Sequence, residues 1–267
     1  MDAALEHLDQ AVDWAWTDAG YRERPVDVAV LAMSGVGHIS AQEKVRVWAE
    51  ARKLTNQLLI KHDADPVLAE GTPSGWGVAL IVGTGSAAIG RKANGKQQVV
   101  GGWGYHYGDE GSAYWIGRRG LEAMARAADG RSQPTQLTAA ILARLQADDP
   151  RSALPALEAT GNVRGAIAAL AEAVDATART GDAAAVGIVS EAAQELASMI
   201  NVLRRDLGFG GDFPLALAGG VVCGSAMLRE QLLGNLSDLS LYPEPVKLVP
   251  QPVAGCIKIA LQSLPPQ

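Results

Sequence analysis

The chain is short of cysteine, of phenylalanine and of basic charge. Its 267 residues include two cysteines, Cys223 and Cys256, too few for a disulfide framework and not spaced as a CxxC pair. A protein of the reducing cytoplasm is the expectation. Lys plus Arg number 23 against 29 Asp plus Glu, a net charge of −6, and no basic stripe relieves that balance. A nucleic-acid partner is therefore not expected. No apolar run reaches about eighteen residues, so no membrane span is expected either. The opening MDAALEHLDQ is acidic and lacks the basic-then-apolar order of a secretory signal. His7, His38, His62 and His106 show no metal-ligand spacing, H-E-x-x-H is absent, and so is a G-x-S-x-G elbow. A zinc site and a hydrolase triad are not expected.

Glycine, by contrast, is plentiful. There are 30, where average usage of ~7% gives about nineteen. They crowd between Gly71 and Gly120, and the pair Gly219-Gly220 stands apart. Backbone freedom gathered in this way marks tight turns or close approach to a ligand. The length admits one large domain or two smaller ones and buries a core without staples.

An amphipathic helix opens the chain on Leu5, Leu8, Val12, Ala15 and Ala19, with Asp2 placed to cap it and Gly20 ending it. The apolar run 26–33, with β-branched Val26, Val28 and Val30, reads as a buried strand closed by the turn Ser34-Gly35-Val36-Gly37. Ser40 and Glu43 make a capping box for the next helix. A strand over Leu58–His62 ends at Asp63, and a short helix follows Pro66. To this point the order suggests a parallel sheet with crossover helices. Val78–Val82, Ala87–Lys92 and Lys96–Val100 then form an antiparallel meander, with Asn94-Gly95 predicting a type I′ turn. A helix is expected over 110–129. Residues 134–208 read as alanine-rich helices broken at Pro155, Gly161 and Gly181, a supporting layer rather than a site. Phe213–Ala218 is a strand that breaks at Gly219-Gly220 into a helix. Val246–Val249 is the last strand, and the helix 252–264 closes the chain.

Four segments carry chemistry. Gly83-Thr84-Gly85-Ser86 follows a strand, and successive amides there can face one concavity suited to phosphate oxygens, with two hydroxyls beside them. It is not a Walker A loop, because no Gly-Lys-Ser/Thr follows. Gly101-Gly102-Trp103-Gly104-Tyr105-His106-Tyr107-Gly108-Asp109 sets a flat indole among glycines near a carboxylate, a pairing that suits the apolar face and the hydroxyls of a sugar. Packing for Trp103 and helix capping for Asp109 are the competing readings. Asp63 stands at the C-terminal end of a strand, where parallel sheets gather ligands and where a carboxylate accepts a hydroxyl proton; a helix cap explains the same position. Leu217-Ala218-Gly219-Gly220-Val221 lets a flat heterocycle lie on bare backbone.

Taken in order, the strand-end Asp, G-T-G-S, the N-G hairpin, G-G-W-G-x-x-x-G-D-E-G-S, the helical insert and the strand with Gly-Gly resemble the N-acetylglucosamine kinases. These belong to the BadF/BadG/BcrA/BcrD group of actin-like, hexokinase-like ATPases. The stretch from Val78 to Trp115 is the nearest match, and the resemblance covers essentially the whole chain. It implies two ribonuclease-H-like α/β domains with mixed sheets and a cleft between them. Residues 1–70 with the C-terminal helix 253–267 are expected as a shortened first domain. Residues 71–252, with the insert 131–208, are expected as the second. ATP and Mg²⁺ are the implied cofactors, and transfer to the sugar 6-hydroxyl the implied reaction. Carried over by position, Asp63 resembles the general base. Gly83, Thr84 and Gly85 resemble the ATP-binding phosphate loop, and Gly219 and Gly220 the adenosine turn. Ser86, Ala87, Gly102, Trp103, Gly104 and Asp109 match sugar-binding positions. Dimers are common in the group, although nothing in this sequence specifies an interface.

Two departures qualify the match. Ala87 stands where the group carries Asn, so one sugar hydrogen bond is expected to be missing or replaced. The chain also starts directly in a helix, where the group first has a D-G-G-G-T hairpin; roughly forty residues' worth of strands and turns are expected to be absent. Losing half a phosphate clamp commonly costs ~10²–10³ in rate per donor, so this chain is expected to be nearly inactive. Other readings remain: a glucosamine or N-acetylmuramate kinase, a non-catalytic sugar-binding remnant, or an ATPase activator that holds an iron–sulfur cluster through cysteines.

Overall fold

The computed structural model describes residues 2–21, 25–33 and 39–264. The turn expected at Ser34-Gly35-Val36-Gly37 lies outside them. The chain divides into two compact units, residues 1–70 with 252–267 and residues 71–251.

In the first unit, β1 (Val26–Met33) pairs in parallel with β2 (Thr55–His62), the register running from Val26 opposite Thr55 to Met33 opposite His62. The observed β1 has the expected bounds, while β2 starts three residues before the expected strand. Helix α1 (Asp2–Asp18) joins α2 (Ile39–Ala51) through Asp9, whose carboxylate takes the Trp48 indole N–H at 2.9 Å and Arg52 at 2.7 Å. Ser40 is the second residue of α2 rather than its cap, so the expected capping box does not form. Helix α3 (Ala64–Gly71) carries Pro66 in its first turn, a position where the missing amide costs nothing. The last helix, α11 (Val253–Ser263), packs on β1. It also crosses α3 so closely that a Cβ on Gly255 would stand 1.9 Å from the Pro66 carbonyl oxygen.

The second unit is built on a five-stranded sheet of order β5-β4-β3-β6-β7. Strands β3 (Gly77–Val82), β4 (Ser86–Arg91) and β5 (Gln97–Gly101) form the antiparallel meander. Strands β6 (Leu215–Ala218) and β7 (Val246–Val249) then add in parallel. The Asn94-Gly95 turn is not type I′. Gly95 has φ +86 but Asn94 has no positive φ, and the Gly95 amide closes on the Lys92 carbonyl. It is a type I turn ended by a glycine bulge, because the three-residue loop needs only one left-handed residue.

Helix α4 (Ala113–Ala128) begins three residues after the expected start, capped by Ser112, whose Oγ accepts the Trp115 amide. The insert holds α5 (Leu137–Leu145), α6 (Ala153–Ala159), α7 (Val163–Arg179) and α8 (Ala183–Leu207). Pro155 lies inside α6 and does not break it. Helices α9 (Gly220–Gly224) and α10 (Ala226–Asp238) follow β6. The core lies between the sheet and α8, where Leu80, Val82, Leu196, Ile200, Leu203 and Leu217 are buried. At the crossing of α4 and α7, a Cβ on Gly117 would stand 1.9 Å from the Ile167 carbonyl oxygen and one on Gly120 2.9 Å from Val174. The two helices therefore run in the same direction, with their N-termini together.

Candidate functional site

Strands β3 and β4 meet in the turn of Gly83, Thr84 and Gly85. The Gly83 amide donates to the Gly85 carbonyl at 2.9 Å, so it is not free for a ligand. The expected run of successive open amides shrinks to Thr84 and Gly85, joined by the Thr84 hydroxyl. The start of α4 fixes this turn from behind: the Ala113 amide donates to the Gly83 carbonyl at 2.9 Å and the Tyr114 amide to that of Thr84 at 3.3 Å.

The parallel register of β3 and β6, with Ile81 opposite Ala218, brings the second glycine turn alongside the first. Gly219 has φ +99, and a Cβ there would lie 2.4 Å from the Val82 oxygen and 2.9 Å from the Gly83 nitrogen. Only glycine fits between the two turns. Gly220, next in sequence, faces open space. Gly83, Thr84, Gly220 and Val221 line one cavity of about 720 Å³ with Gly165 and Glu172 of α7. That volume is typical of small-molecule pockets. The insert is thus part of the site, contrary to its reading as a supporting layer. Its alanine-rich pattern is the same for a core helix and for a helix lending one small-residue face to a ligand.

The tryptophan loop lies on the other side of the first turn. Gly101, Gly102 and Gly104 have φ of +79, +72 and +88, and Trp103 between them is 70% exposed, so it fills no packing role. Ala87 stands beside Gly102, its Cβ 3.4 Å from where a Gly102 side chain would begin. Asp109 is only 4% exposed and has φ +58. Its carboxylate occupies the space over Gly85, where a Cβ would meet Oδ2 at 2.8 Å. Oδ1 accepts the Ser86 amide at 3.4 Å, and Arg164 of α7 approaches Oδ2 to 3.7 Å while its guanidinium lies 4.7 Å over the Tyr105 ring. Asp109 is therefore not the cap of α4, which is Ser112. Ser86 is buried and donates its hydroxyl to the Glu110 carbonyl at 2.6 Å. The loop and the first turn are tied into one piece by Ser86, Asp109 and Arg164.

Asp63 belongs to the first unit, between the end of β2 and the start of α3. It makes no capping bond: the Ala64 amide points to His62 Nδ1 at 3.3 Å, and Asp65 takes the His62 amide at 2.9 Å. Asp63 Oδ1 lies 2.7 Å from His62 Nδ1 and has no other partner among the described residues. That contact with Asp63 raises the His62 pKa above its ordinary 6.5, against the opposing pull of burial. The two thiols lie in different units, and burial raises the pKa of each. Neither is prepared as a thiolate ligand.

Residues 1–236 match the sequence profile of the BadF/BadG/BcrA/BcrD ATPase family. Over 167 residues, 62% of the chain, it is 32% identical to the N-acetylmuramic acid/N-acetylglucosamine kinase of Clostridium acetobutylicum; the match spans 55% of that relative's own length. It is 28% identical to the N-acetyl-D-glucosamine kinase of Dictyostelium discoideum, covering 98% of this chain and 84% of that one. The fold is similar to the crystal structure of a Chromobacterium violaceum protein provisionally assigned as an N-acetylglucosamine kinase. The TM-score is 0.73 at 26% identity, with 98% of this chain and 87% of the other covered.

Proposed function

The chain belongs to the BadF/BadG/BcrA/BcrD ATPase family, and from that premise we propose that it transfers the γ-phosphoryl group of ATP to the 6-hydroxyl of N-acetylglucosamine or a close amino sugar. One observation carries the reading: two glycine turns from neighbouring parallel strands and a helix of the insert enclose a single nucleotide-sized cavity, with an exposed indole and a buried carboxylate tied to its phosphate end.

In this reading Thr84 and Gly85 hold phosphate oxygens through their amides and the Thr84 hydroxyl. The heterocycle lies on the bare backbone at Gly220. Trp103 stacks on the sugar, and Asp109 accepts one of its hydroxyls while holding the Ser86 amide. Ser86 acts by bracing the loop, since its own hydroxyl proton is already given to Glu110. In the transfer step Asp63 accepts the proton of the 6-hydroxyl, the oxygen forms its bond to phosphorus, and the bond from phosphorus to the bridging oxygen breaks to release ADP. Positioning and charge stabilisation supply most of the rate in such transfers. Mg²⁺ suits this donor set as a passenger of the nucleotide, because it keeps waters and phosphate oxygens as most of its ligands. Among the described residues no three His, Cys, Asp or Glu side chains gather into a dedicated cation site. Bound Mg²⁺ would neutralise charge on the β- and γ-phosphates.

Calorimetry on the intact chain, joined to an ADP-release assay with N-acetylglucosamine, glucosamine and N-acetylmuramate, tests this. Binding of ADP and of one amino sugar is the expected result, with transfer slow, as the missing half of the phosphate clamp implies, and the residual transfer lost in Asp63→Asn while both bindings persist. A chain that binds no sugar of this set overturns it.

A further inference from the structure

We propose that Glu172 recognises the ribose of the nucleotide through its hydroxyls, making the pocket selective for ribonucleotides over deoxyribonucleotides. This rests on the reading of the cavity as a nucleotide site and specifies which of its ends takes which part of the ligand.

The cavity has a direction, set by its own packing. Helices α4 and α7 run in parallel, and the N-terminus of α4 holds the Gly83-Thr84 turn. The N-terminal end of α7, with Arg164 and Gly165, therefore lies at the phosphate end of the cavity. Farther along the same helix, Asp175 takes the hydroxyl proton of Ser225 at the start of α10, which places that part of α7 beside the segment following the Gly219-Gly220 turn. From one end of the cavity to the other, α7 presents Gly165, then Ala168 and Ala169, then Glu172, then Asp175. These positions share one helical face. The first three are too small to crowd a ligand; charge appears only from Glu172 onward. At 1.5 Å per residue, Glu172 lies about 10 Å beyond Gly165, comparable with the reach of an extended triphosphate.

A carboxylate cannot usefully face a triphosphate, since like charges repel. It needs donors, and the part of a nucleotide next after the phosphates carries two adjacent hydroxyls. Asp175 is already engaged by Ser225 and by Arg179 at 3.5 Å. Glu172 has no hydrogen bond or ion pair among the described residues, although it lines the cavity. Its two oxygens are thus the free acceptors at the right depth.

Titration of the intact chain with ADP, 2′-deoxyADP, 3′-deoxyADP and IDP decides the matter. In the unaltered chain each deoxy analogue is expected to bind about tenfold more weakly than ADP, the usual loss of one hydrogen bond to a charged acceptor. Glu172→Ala should bring ADP and its deoxy analogues to within about twofold of one another, with an unchanged melting temperature because the residue is exposed. Glu172→Gln, which keeps a neutral acceptor, should fall between. An unchanged ribose preference in Glu172→Ala overturns the proposal. So does a variant that loses discrimination between ADP and IDP instead, which would put Glu172 on the base amino group. If the unaltered chain binds ADP with no ribose preference, this proposal alone fails; if it binds none of the four, the nucleotide reading fails with it.

Discussion

His62 Nδ1 has two suitors that demand opposite protonation. Unprotonated, it accepts the Ala64 amide at 3.3 Å; protonated, it donates to Asp63 Oδ1 at 2.7 Å. The raised pKa means the folded chain favours the second state. The stability this contact contributes is therefore present below pH 6.5 and fades as pH rises through the higher folded pKa. The proposed base behaves in the opposite sense, because it is released from His62 by the same deprotonation. Catalytic efficiency should rise with pH across the folded pKa of His62, while the melting temperature falls slightly. In His62→Gln, which cannot titrate, the low-pH limb of that rise should shift or flatten; superimposable profiles would remove His62 from the account. A second residue separates binding from folding. Trp103 is 70% exposed, so Trp103→Ala should leave the melting temperature within about 1 °C yet raise the KM for sugar about tenfold or more, as loss of a stacking face does. A matching fall in stability would mean that the indole is packing after all. Asp109 shows why single residues were only half legible. Its place in a glycine loop was plain from sequence, but its positive φ, its burial and its hold on Ser86 come from the fold around it.

At the level of elements, periodicity and punctuation located most strands and helices to within a few residues, because alternating burial and turn glycines leave a local signal. What they could not show is which helix faces a cavity. Helix α7 reads as alanine-rich core, and it does bury Leu170 and Val174, yet the adjoining face of the same helix lines the pocket. The distinction depends on its crossing with α4, made by residues fifty or more positions away. That crossing is testable by two glycines of the same region. Gly117→Ala places a methyl 1.9 Å from the Ile167 oxygen and should destabilise by about 2–3 kcal/mol, lowering the melting temperature by roughly 5–10 °C. Gly187→Ala, in the second turn of α8 with open space before it, should instead stabilise by about 0.5–1 kcal/mol. Equal effects at both sites would mean that helix propensity, not the tight crossing, governs the insert.

For the whole molecule, the unequal construction of the two units matters most. The second is one continuous stretch, 71–251; the first is assembled from both ends of the chain. Continuity explains why the two glycine turns that line the proposed nucleotide cavity were legible: they lie on strands with strong local patterns. The lining from α7 could not, since it comes from a segment whose position only tertiary packing decides. Every residue around that cavity belongs to the second unit, and so do the tryptophan loop and Asp109. The two ligands should then leave separate marks within one unit. Hydrogen exchange of the intact chain with saturating ADP is expected to slow at 83–85, across 165–175 and at 219–224, and N-acetylglucosamine should slow 101–109. Because Ser86, Asp109 and Arg164 join the two sets of segments, ADP and sugar together should protect 83–86 more than either alone. At a nucleotide concentration a hundred times its Kd, binding adds about 2.7 kcal/mol to the stability of whatever folds with it, so slowed exchange should reach the core of β3 and β6 as well as the contact points. ADP protection confined to segments outside 71–251 would detach the cavity from nucleotide binding, and with it the assignment of the glycine turns as the phosphate and adenosine holders.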